Sequence, residues 1–570
     1  MSKRLKITNY LKNITDIEEE FSENDEQETF VMEKNMEIDQ ELFSSELESE
    51  NDSEEENIIN KRSGQKKKRV LLSSESEIDL EDQRIETAAD GTVWEEIDGR
   101  PNLGRLPVHK CFRDMSGPTG YAKRHIMKGQ MKTAFSLIID QHITRHIIKC
   151  TEEEAFRVLG TKWELNATKL DAFISLLYAR GAYEARNLDI SYLWNKNWGP
   201  AFFSKTMSRN DFTEIMKYIR FDKKSERSQR LQTDKFSMIS TIWDRFIENS
   251  QNCYKPGAYI AVDEQLFPSK TRCRFTQYMP NKPDKFGIKF WLACDVKSKY
   301  IINGFPYLGK DERRDCSIPL GEFVVLKLMD PFTGCGRTVT TDNFFTSVSL
   351  AKKLLARKTT IVGTIRGNKR ELPKLAKEKK DKMVRFSSKF YKSNYITLTV
   401  YKSKPKKKVL VLSSKHNSIE IEKSSKRIPE TIRFYNSTKF GVDVADQMAR
   451  KYSVKSKSCR WPLQVFFNIL DLAGINAWIL YKETTGENIS RQEFLFQLAS
   501  ELGDAYTKSK EKQLLPTPST STDLCVRKTC QIKFCKGYKT TKICSKCEKY
   551  VCGKCTFQTK LICKQCEGAK

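Results

Sequence analysis

A chain of 570 residues, 39% of them hydrophobic, has enough apolar surface for several packed domains, which excludes a small stapled module or a wholly disordered chain. The net charge of +27 is unevenly spread: residues 16–56 carry 19 acids and one lysine, a net of −18, leaving +45 on the rest. That balance favours a polyanionic partner, nucleic acid before a membrane surface, since no lysine-rich amphipathic helix stands apart for lipid.

No apolar run is expected to reach the roughly 18 residues of a spanning helix, and no signal peptide is expected at the start. The expectation is therefore no membrane partner. The 17 cysteines are odd in number and nine of them follow residue 524, a pattern that suits metal binding in a reducing compartment better than disulfides.

In chain order, residues 1–95 read as a disordered acidic arm, because the tract lacks the apolar period needed to offset chain entropy. Lys61-Arg62 and Lys66-Lys67-Lys68-Arg69 within it read as a nuclear localisation signal, which places the protein in the nucleus. From Trp94 to about Pro256 the pattern is mainly helical. Thr151 followed by Glu152, Glu153 and Glu154 reads as a capped helix start. Leu170, Phe173, Ile174, Leu177 and Ala179 recur near the helical period, Ser208 opens a helix through Phe221, and Phe236 to Phe246 reads as another. His142, His146 and Cys150 have metal-like spacing on a helix, but no acid or second cysteine completes the set, so a structural role is the simpler reading.

Strand signals begin at Tyr259. The apolar run from Ala258 to Val262 ends in Asp263, and Arg337 to Thr341 runs likewise into Asp342. Between them, Phe286–Ala293 and Lys299–Phe305 alternate like a hairpin, and Phe323–Met329 reads as a helix. A helix through Leu355 and a strand at Thr360–Ile365 follow. Gly441 to Met448 reads as a helix with Asp443 and Asp446 on one face. A single strand-end Asp is more often a turn former than a ligand. Two of them plus a helical acid are what is needed to grip two divalent ions about 4 Å apart for phosphoryl transfer. This strand and helix order is compatible with an RNase H-like sheet without selecting it over other α/β layouts.

Residues 367–432 are rich in lysine and in short alternating strands, Tyr395–Tyr401 and Val409–Leu412, and read as a β-rich insertion. Lys404 and Lys406 to Lys408 read as a solvated loop. Arg460-Trp461-Pro462 precedes an apolar helix, Phe466–Tyr481, that carries Asn468 and Asp471, and residues 513–523 read as a linker. In the tail, Cys530, Cys535, Cys544, Cys547, Cys552, Cys555, Cys563 and Cys566 supply eight thiolates, enough for two tetrahedral Zn²⁺ sites. The interleaved spacing suggests a cross-brace, with Cys530, Cys535, Cys552 and Cys555 on one ion and Cys544, Cys547, Cys563 and Cys566 on the other. Cys525 is a spare thiol.

Several of these stretches together resemble the piggyBac transposase family: Val262-Asp263-Glu264-Gln265-Leu266, Tyr278-Met279-Pro280-Asn281-Lys282-Pro283 with Gly287-Ile288-Lys289, and Thr341-Asp342-Asn343-Phe344-Phe345-Thr346-Ser347. Asn368-Lys369-Arg370-Glu371 and Gly441-Val442-Asp443 with Asp446-Gln447-Met448 extend the likeness, which runs from near residue 97 to the C-terminus. It implies an α/β multi-domain protein with an RNase H-like catalytic core, a β-rich insertion, a helical DNA-binding and dimerisation domain and a C-terminal cross-brace zinc domain. On that reading the parts are residues 1–95 (arm), 96–257 and 457–512 (helical domain), 258–366 and 433–456 (core), 367–432 (insertion), 513–524 (linker) and 525–570 (zinc domain). The tail departs from the family where Cys555 stands in place of a frequent His and where four residues separate Cys530 from Cys535.

The resemblance implies Mg²⁺ (or Mn²⁺) on Asp263, Asp342 and Asp443, with Asp446 as a fourth acid that orients the set. It implies DNA contacts from Arg366, Lys369 and Arg370, and from Arg460 and Trp461. The activity implied is cut-and-paste transposition by a homodimer: hairpin formation at transposon ends, then insertion at TTAA in double-stranded DNA. A domesticated, catalytically silent DNA-binding derivative is the alternative, and a chromatin-reading or ubiquitin-ligase-like zinc module is a more distant one.

Overall fold

Tyr259–Pro268, the strand that ends its apolar run at Asp263, lies deep in an 11-stranded mixed sheet. The computed structural model describes residues 85–99, 112, 114–280, 282, 284–309, 317–378, 381–514, 528–532 and 535–556. They fall into two units, residues 1–507 and 508–570. The arm up to residue 84 with its basic signal, Cys525, Cys563 and Cys566 lie outside the described residues.

In chain order the strands of the sheet are β1 (Ile85–Thr87), β2 (Val93–Ile97), β3 (Tyr259–Pro268), β4 (Thr276–Tyr278), β5 (Phe286–Asp295), β6 (Ile301–Pro306), β7 (Thr338–Thr341), β8 (Thr360–Thr364), β9 (Ser388–Ser393), β10 (Ile396–Lys404) and β11 (Lys407–Ser413). Their spatial order is β1-β2-β9-β10-β11-β8-β7-β3-β5-β4, with β6 also paired to β5. Only β3–β7 and β7–β8 are parallel. The β5–β6 pair is the hairpin expected from the alternation there.

Strand β7 is four threonine and valine residues buried on both faces. Its hydroxyls are not left unpaired, which would be costly in such a place. Thr338 bonds Thr360, Thr340 bonds Thr438 and Thr341 bonds Thr346, each at 2.8 Å.

The strands at 388–413 do not form a separate layer. β11 pairs with β8, so the inserted segment widens the core sheet. Lys407 and Lys408 belong to β11 rather than to a solvated loop, and Lys408 is drawn in because its ammonium meets Asp381 at 3.2 Å, with Lys402 at 2.9 Å from the same carboxylate. The edge beyond β9 is covered by β1 and β2, where the sequence pattern had suggested disorder up to residue 95. Trp94 explains the difference: it is fully buried and its indole N–H donates to the Glu371 carbonyl at 2.8 Å. One large aromatic was enough to order a short hairpin that composition alone assigned to the arm.

The main helices are α1 (Met131–Ile138), α2 (Gln141–Leu159), α3 (Ala167–Ala182), α4 (Arg209–Tyr218), α5 (Ser240–Cys253), α6 (Leu320–Met329), α7 (Val348–Ala356), α8 (Glu430–Thr438), α9 (Gly441–Lys451), α10 (Trp461–Thr485) and α11 (Arg491–Leu514). Thr151 is inside α2, not at its start. Asp140 caps that helix by accepting from Ile143 N–H at 3.0 Å, and Gly160 ends it at φ 70°. Thr151 instead accepts from the Arg220 amide at 3.2 Å. Phe236 lies in the turn before α5, held by Asp234, so that helix begins four residues later than its apolar pattern suggested. Lys224–Thr233 is helical without a buried residue, which is why no apolar period announced it. Helix α11 runs to Leu514, into the start of the stretch read as a linker.

Helix α10 corrects the expectation that no segment is long and apolar enough to cross a membrane, since its 25 residues meet that test by length and composition. Nearly all of it is buried inside the first unit, against α1, α5 and α9 among others. Each Leu, Ile or Phe it hides contributes roughly 1.5–3 kcal/mol, so its apolarity is accounted for by core packing.

Candidate active site and thiolate cluster

The register of the parallel strands sets the geometry of the acids. Val262 of β3 pairs with Thr341 of β7, so Asp263 and Asp342, each the next residue, come side by side at the same end of neighbouring strands. Alternation along β3 turns Ala261, Asp263 and Gln265 to one face, and α9 lies on that face. Gly441 permits the approach: a Cβ there would stand 2.6 Å from that of Ala261. Asp443 and Asp446 are then one helical turn apart above the strand ends.

These carboxylates feel one another. Burial raises Asp263 well above the usual carboxylate range, and the charges of Glu264, Asp443 and Asp342 push it further. Asp443 is raised too, by burial first, while Lys282, with its Nζ 3.9 Å from the Asp443 carboxylate, pulls the other way. Among the described residues, the only set of three or more ligand-type side chains closing to within 4.8 Å of one another is made of cysteines, so the acids stand wider apart. Hard oxygen donors gathered at neighbouring strand ends are the ligand type that hard divalent cations take. Asp263 accepts from the Glu264 amide at 2.8 Å and Asp342 from the Phe344 amide at 2.9 Å, which sets both carboxylates in place.

Asp446 differs from the other three. One oxygen accepts from Gln265 Nε2 and the other from Arg450 Nε, both at 2.9 Å. Arg450 also reaches the Leu266 carbonyl and Asp284, each at 3.2 Å. Each Asp446 oxygen is therefore held by a protein donor, which suits an orienting role. Gln265 and Lys282 stand within the family motifs without a role assigned to them, and Arg450 was not singled out. A glutamine on the buried face of an apolar strand was a further signal for Gln265.

Arg366 is exposed on the loop after β8 and donates to Asn343, the residue next to Asp342, at 3.0 Å. Lys369 and Arg370 share that loop, with the Lys369 amide bonded to the Arg366 carbonyl at 3.2 Å and Arg370 exposed. Arg460 and Trp461 lie elsewhere, at the start of α10. The Arg460 guanidinium donates to the carbonyls of Ile219 (2.7 Å) and Met216, and burial lowers it to about 10. Trp461 stacks on Phe236 at 5.7 Å. His146 bonds the Phe221 carbonyl at 2.8 Å with Cys150 3.6 Å away, the structural arrangement that the missing ligands suggested.

In the second unit, Cys530, Cys535, Cys552 and Cys555 bring their sulfurs within 4.8 Å of one another, the grouping that the interleaved spacing suggested. Burial and the neighbouring thiols push Cys555 up to about 12. Four crowded thiols cannot ionise together without a cation, and soft sulfur donors in fours fit Zn²⁺. Cys544 is fully buried and opens a tight turn in which its amide bonds the Lys549 carbonyl and its carbonyl accepts from Glu548, both at 2.9 Å. Its expected partners Cys563 and Cys566 lie outside the described residues.

Acids brought to one end of a mixed sheet, beside basic loops, define a class before they define a protein, and comparison with known proteins supplies that class. Residues 131–478, more than half of the chain, match the family model described as Transposase IS4. The human PiggyBac transposable element-derived protein 3 is 23% identical over 420 residues, covering 70% of this chain and 68% of that one. The human PiggyBac transposable element-derived protein 2 is 22% identical over 365 residues, 61% of each chain. A cryo-EM structure of a piggyBac transposase synaptic complex with hairpin DNA aligns at TM-score 0.66 and 30% identity, over 80% of this chain and 100% of that one. The chain belongs to the transposase family of piggyBac type.

Proposed function

We propose that this protein is a cut-and-paste DNA transposase whose Asp263, Asp342 and Asp443 hold two Mg²⁺ (or Mn²⁺) ions. The observation that carries the reading is the β3–β7 register, which sets two strand-end acids abreast beneath a third on α9. The order β6-β5-β3-β7-β8, antiparallel up to β3 and parallel beyond it, supports an RNase H-like core.

When bound, the ions supply Lewis acidity for attack by water and then by a 3′-hydroxyl on a phosphodiester. The protein's own part is placement. Asp263 and Asp342 are oriented by backbone amides, Asp446 is held by Gln265 and Arg450, and Lys282 lends positive charge beside Asp443. Arg366, Lys369 and Arg370 are set to meet DNA phosphates next to Asp342. No protein nucleophile is needed. The further reading is a nuclear homodimer that binds transposon ends, forms hairpins there and inserts at TTAA, with two Zn²⁺ in the tail unit.

The test is excision of a donor element, bounded by candidate terminal repeats, from a plasmid. Asp342→Asn should abolish strand cleavage and leave binding of the repeat DNA within about twofold, because the basic surfaces are untouched. Cleavage at the wild-type rate by that variant would sink the assignment. A second reading, a domesticated DNA-binding protein without transposition, is favoured by the names of the human relatives, which are called element-derived. Binding of the repeats with no Mg²⁺-dependent cleavage by the wild type would select it.

A further inference from the structure

One buried polar chain runs from the carboxylates into the hydrophobic core. Gln265 on β3 is 1% exposed and Asn468 on α10 is 0% exposed, so neither amide is held by solvent. Asp446 accepts from Gln265 Nε2 at 2.9 Å, and Gln265 Oε1 accepts from Asn468 Nδ2 at 2.9 Å. Asp446 is paired with the Arg450 guanidinium and accepts, so Gln265 turns its NH₂ to Asp446 and its carbonyl to Asn468. Asn468 must then donate, and no protein donor reaches its buried Oδ1. An orphaned acceptor of that kind is a cost that apolar packing at the same place would avoid. The geometry is thus organised around Asp446 at the expense of the core.

A second tie lies one turn further along α10. Asp471 accepts from Ser453 Oγ at 2.6 Å and from the Val454 amide at 2.8 Å, just beyond the end of α9. Helix α9 and the residues just after it are therefore tied to α10 at two levels, one through Gln265 and one through Ser453 and Val454.

We propose that Gln265 and Asn468 are positioning residues, a two-amide relay from α10 through β3 to Asp446 that fixes the rotation of α9 and with it the place of Asp443. The inference rests on the transposase reading for its catalytic consequence, but not for the relay itself. Neither residue touches substrate. They act through Asp446, and removing the relay should let Asp443 drift from its place beside Asp263.

The experiment uses the full chain with Gln265→Met, Asn468→Leu and the double variant. Two quantities are measured: the rate and Mg²⁺ midpoint of cleavage of duplex terminal-repeat DNA, and amide hydrogen exchange across residues 441–451 in protein free of Mg²⁺ and Mn²⁺. Gln265→Met should slow cleavage on the order of 10- to 100-fold, the loss typical of a misplaced group, and raise the Mg²⁺ midpoint. Asn468→Leu should do less, and the double variant should be no worse than Gln265→Met, because a chain already cut cannot be cut again. Exchange across α9 should rise about tenfold or more in both single variants. Multiplying effects in the double variant, an unmoved Mg²⁺ midpoint, or wild-type exchange in α9 would each overturn the relay. Should Gln265→Met fail to fold, Asn468→Ser cuts the same chain at its other end and is read the same way. If the wild type cleaves nothing, the transposase reading falls, while the exchange measurement still decides whether the relay exists.

Discussion

The two candidate metal sites of this chain are built in opposite ways. The carboxylates sit on a large packed frame: Asp263 and Asp342 end strands of an 11-stranded sheet, and the segment after α9 is bonded to buried Asp471 of α10. The thiolates have little frame. Among the described residues of the second unit the apolar cluster is Cys544 and Val551, with Ile532 and Cys547 against it. Where the core is large, an ion can come and go and the fold persists. Where the ligands are themselves the core, binding energy is folding energy.

The largest expected effect is therefore removal of zinc. A strong chelator, or Cys552→Ser, should unfold the tail unit and leave the main melting transition of the first unit unchanged. Structural zinc contributes roughly 10–16 kcal/mol in small modules, far beyond what this cluster of four residues can replace. Calorimetry with zinc quantitation checks it. A tail that keeps its protected amides after stoichiometric zinc loss would break the contrast between the two sites.

Why one site was more legible in the sequence than the other follows from the same contrast. Cysteine spacing is itself the signal, so Cys530, Cys535, Cys552 and Cys555 could be grouped by reading alone. The acids needed a register. Asp263 and Asp342 lie far apart in the chain, and only the pairing of Val262 with Thr341 brings them abreast. The β-branched runs before each acid indicated strand ends, and motif resemblance supplied the rest. What local pattern missed was decided by distant partners: Trp94 ordering β1 and β2, Asp381 drawing Lys408 out of solvent, and Asp140 capping α2 eleven residues before the expected cap. None of these has a periodic signature. The role of Gln265 was not legible for a related reason, since its partners sit on two other elements.

A buried oxygen ligand inside the frame can be answered by a proton instead of an ion, and Asp471 sharpens the comparison on that point. Burial raises its carboxyl from 3.8 to about 7, against the lowering pull of its bonds to Ser453 and Val454. The folded chain then holds this proton more tightly than the unfolded chain does. The stability so contributed is fully present below about pH 4 and is lost as the pH rises through about 7. Wild-type protein should lose on the order of a few degrees of melting temperature across that window relative to Asp471→Asn. The slope is the readout, because the asparagine also changes the bonds to Ser453 and Val454. Parallel slopes for the two proteins would show that Asp471 is already ionised when folded.

The smallest effect separates two arginines by what already occupies them. Arg366 is exposed and makes one bond, to Asn343 beside the carboxylates, so its charge remains available to a phosphate. Arg460 gives its guanidinium to the carbonyls of Ile219 and Met216, and burial lowers it to about 10. Arg366→Gln should weaken binding of duplex DNA uniformly across sequences and reduce the salt slope of affinity by about one, with melting unchanged. Arg460→Gln should instead lower the melting temperature, since the Met216 carbonyl loses the guanidinium and that of Ile219 keeps only Arg220, and leave the salt slope where it was. Affinity measured from 50 to 200 mM salt, with a melt of each variant, decides it. A slope that fell for Arg460→Gln and held for Arg366→Gln would move the DNA away from the strand ends and onto the start of α10, where Trp461 already stacks on Phe236.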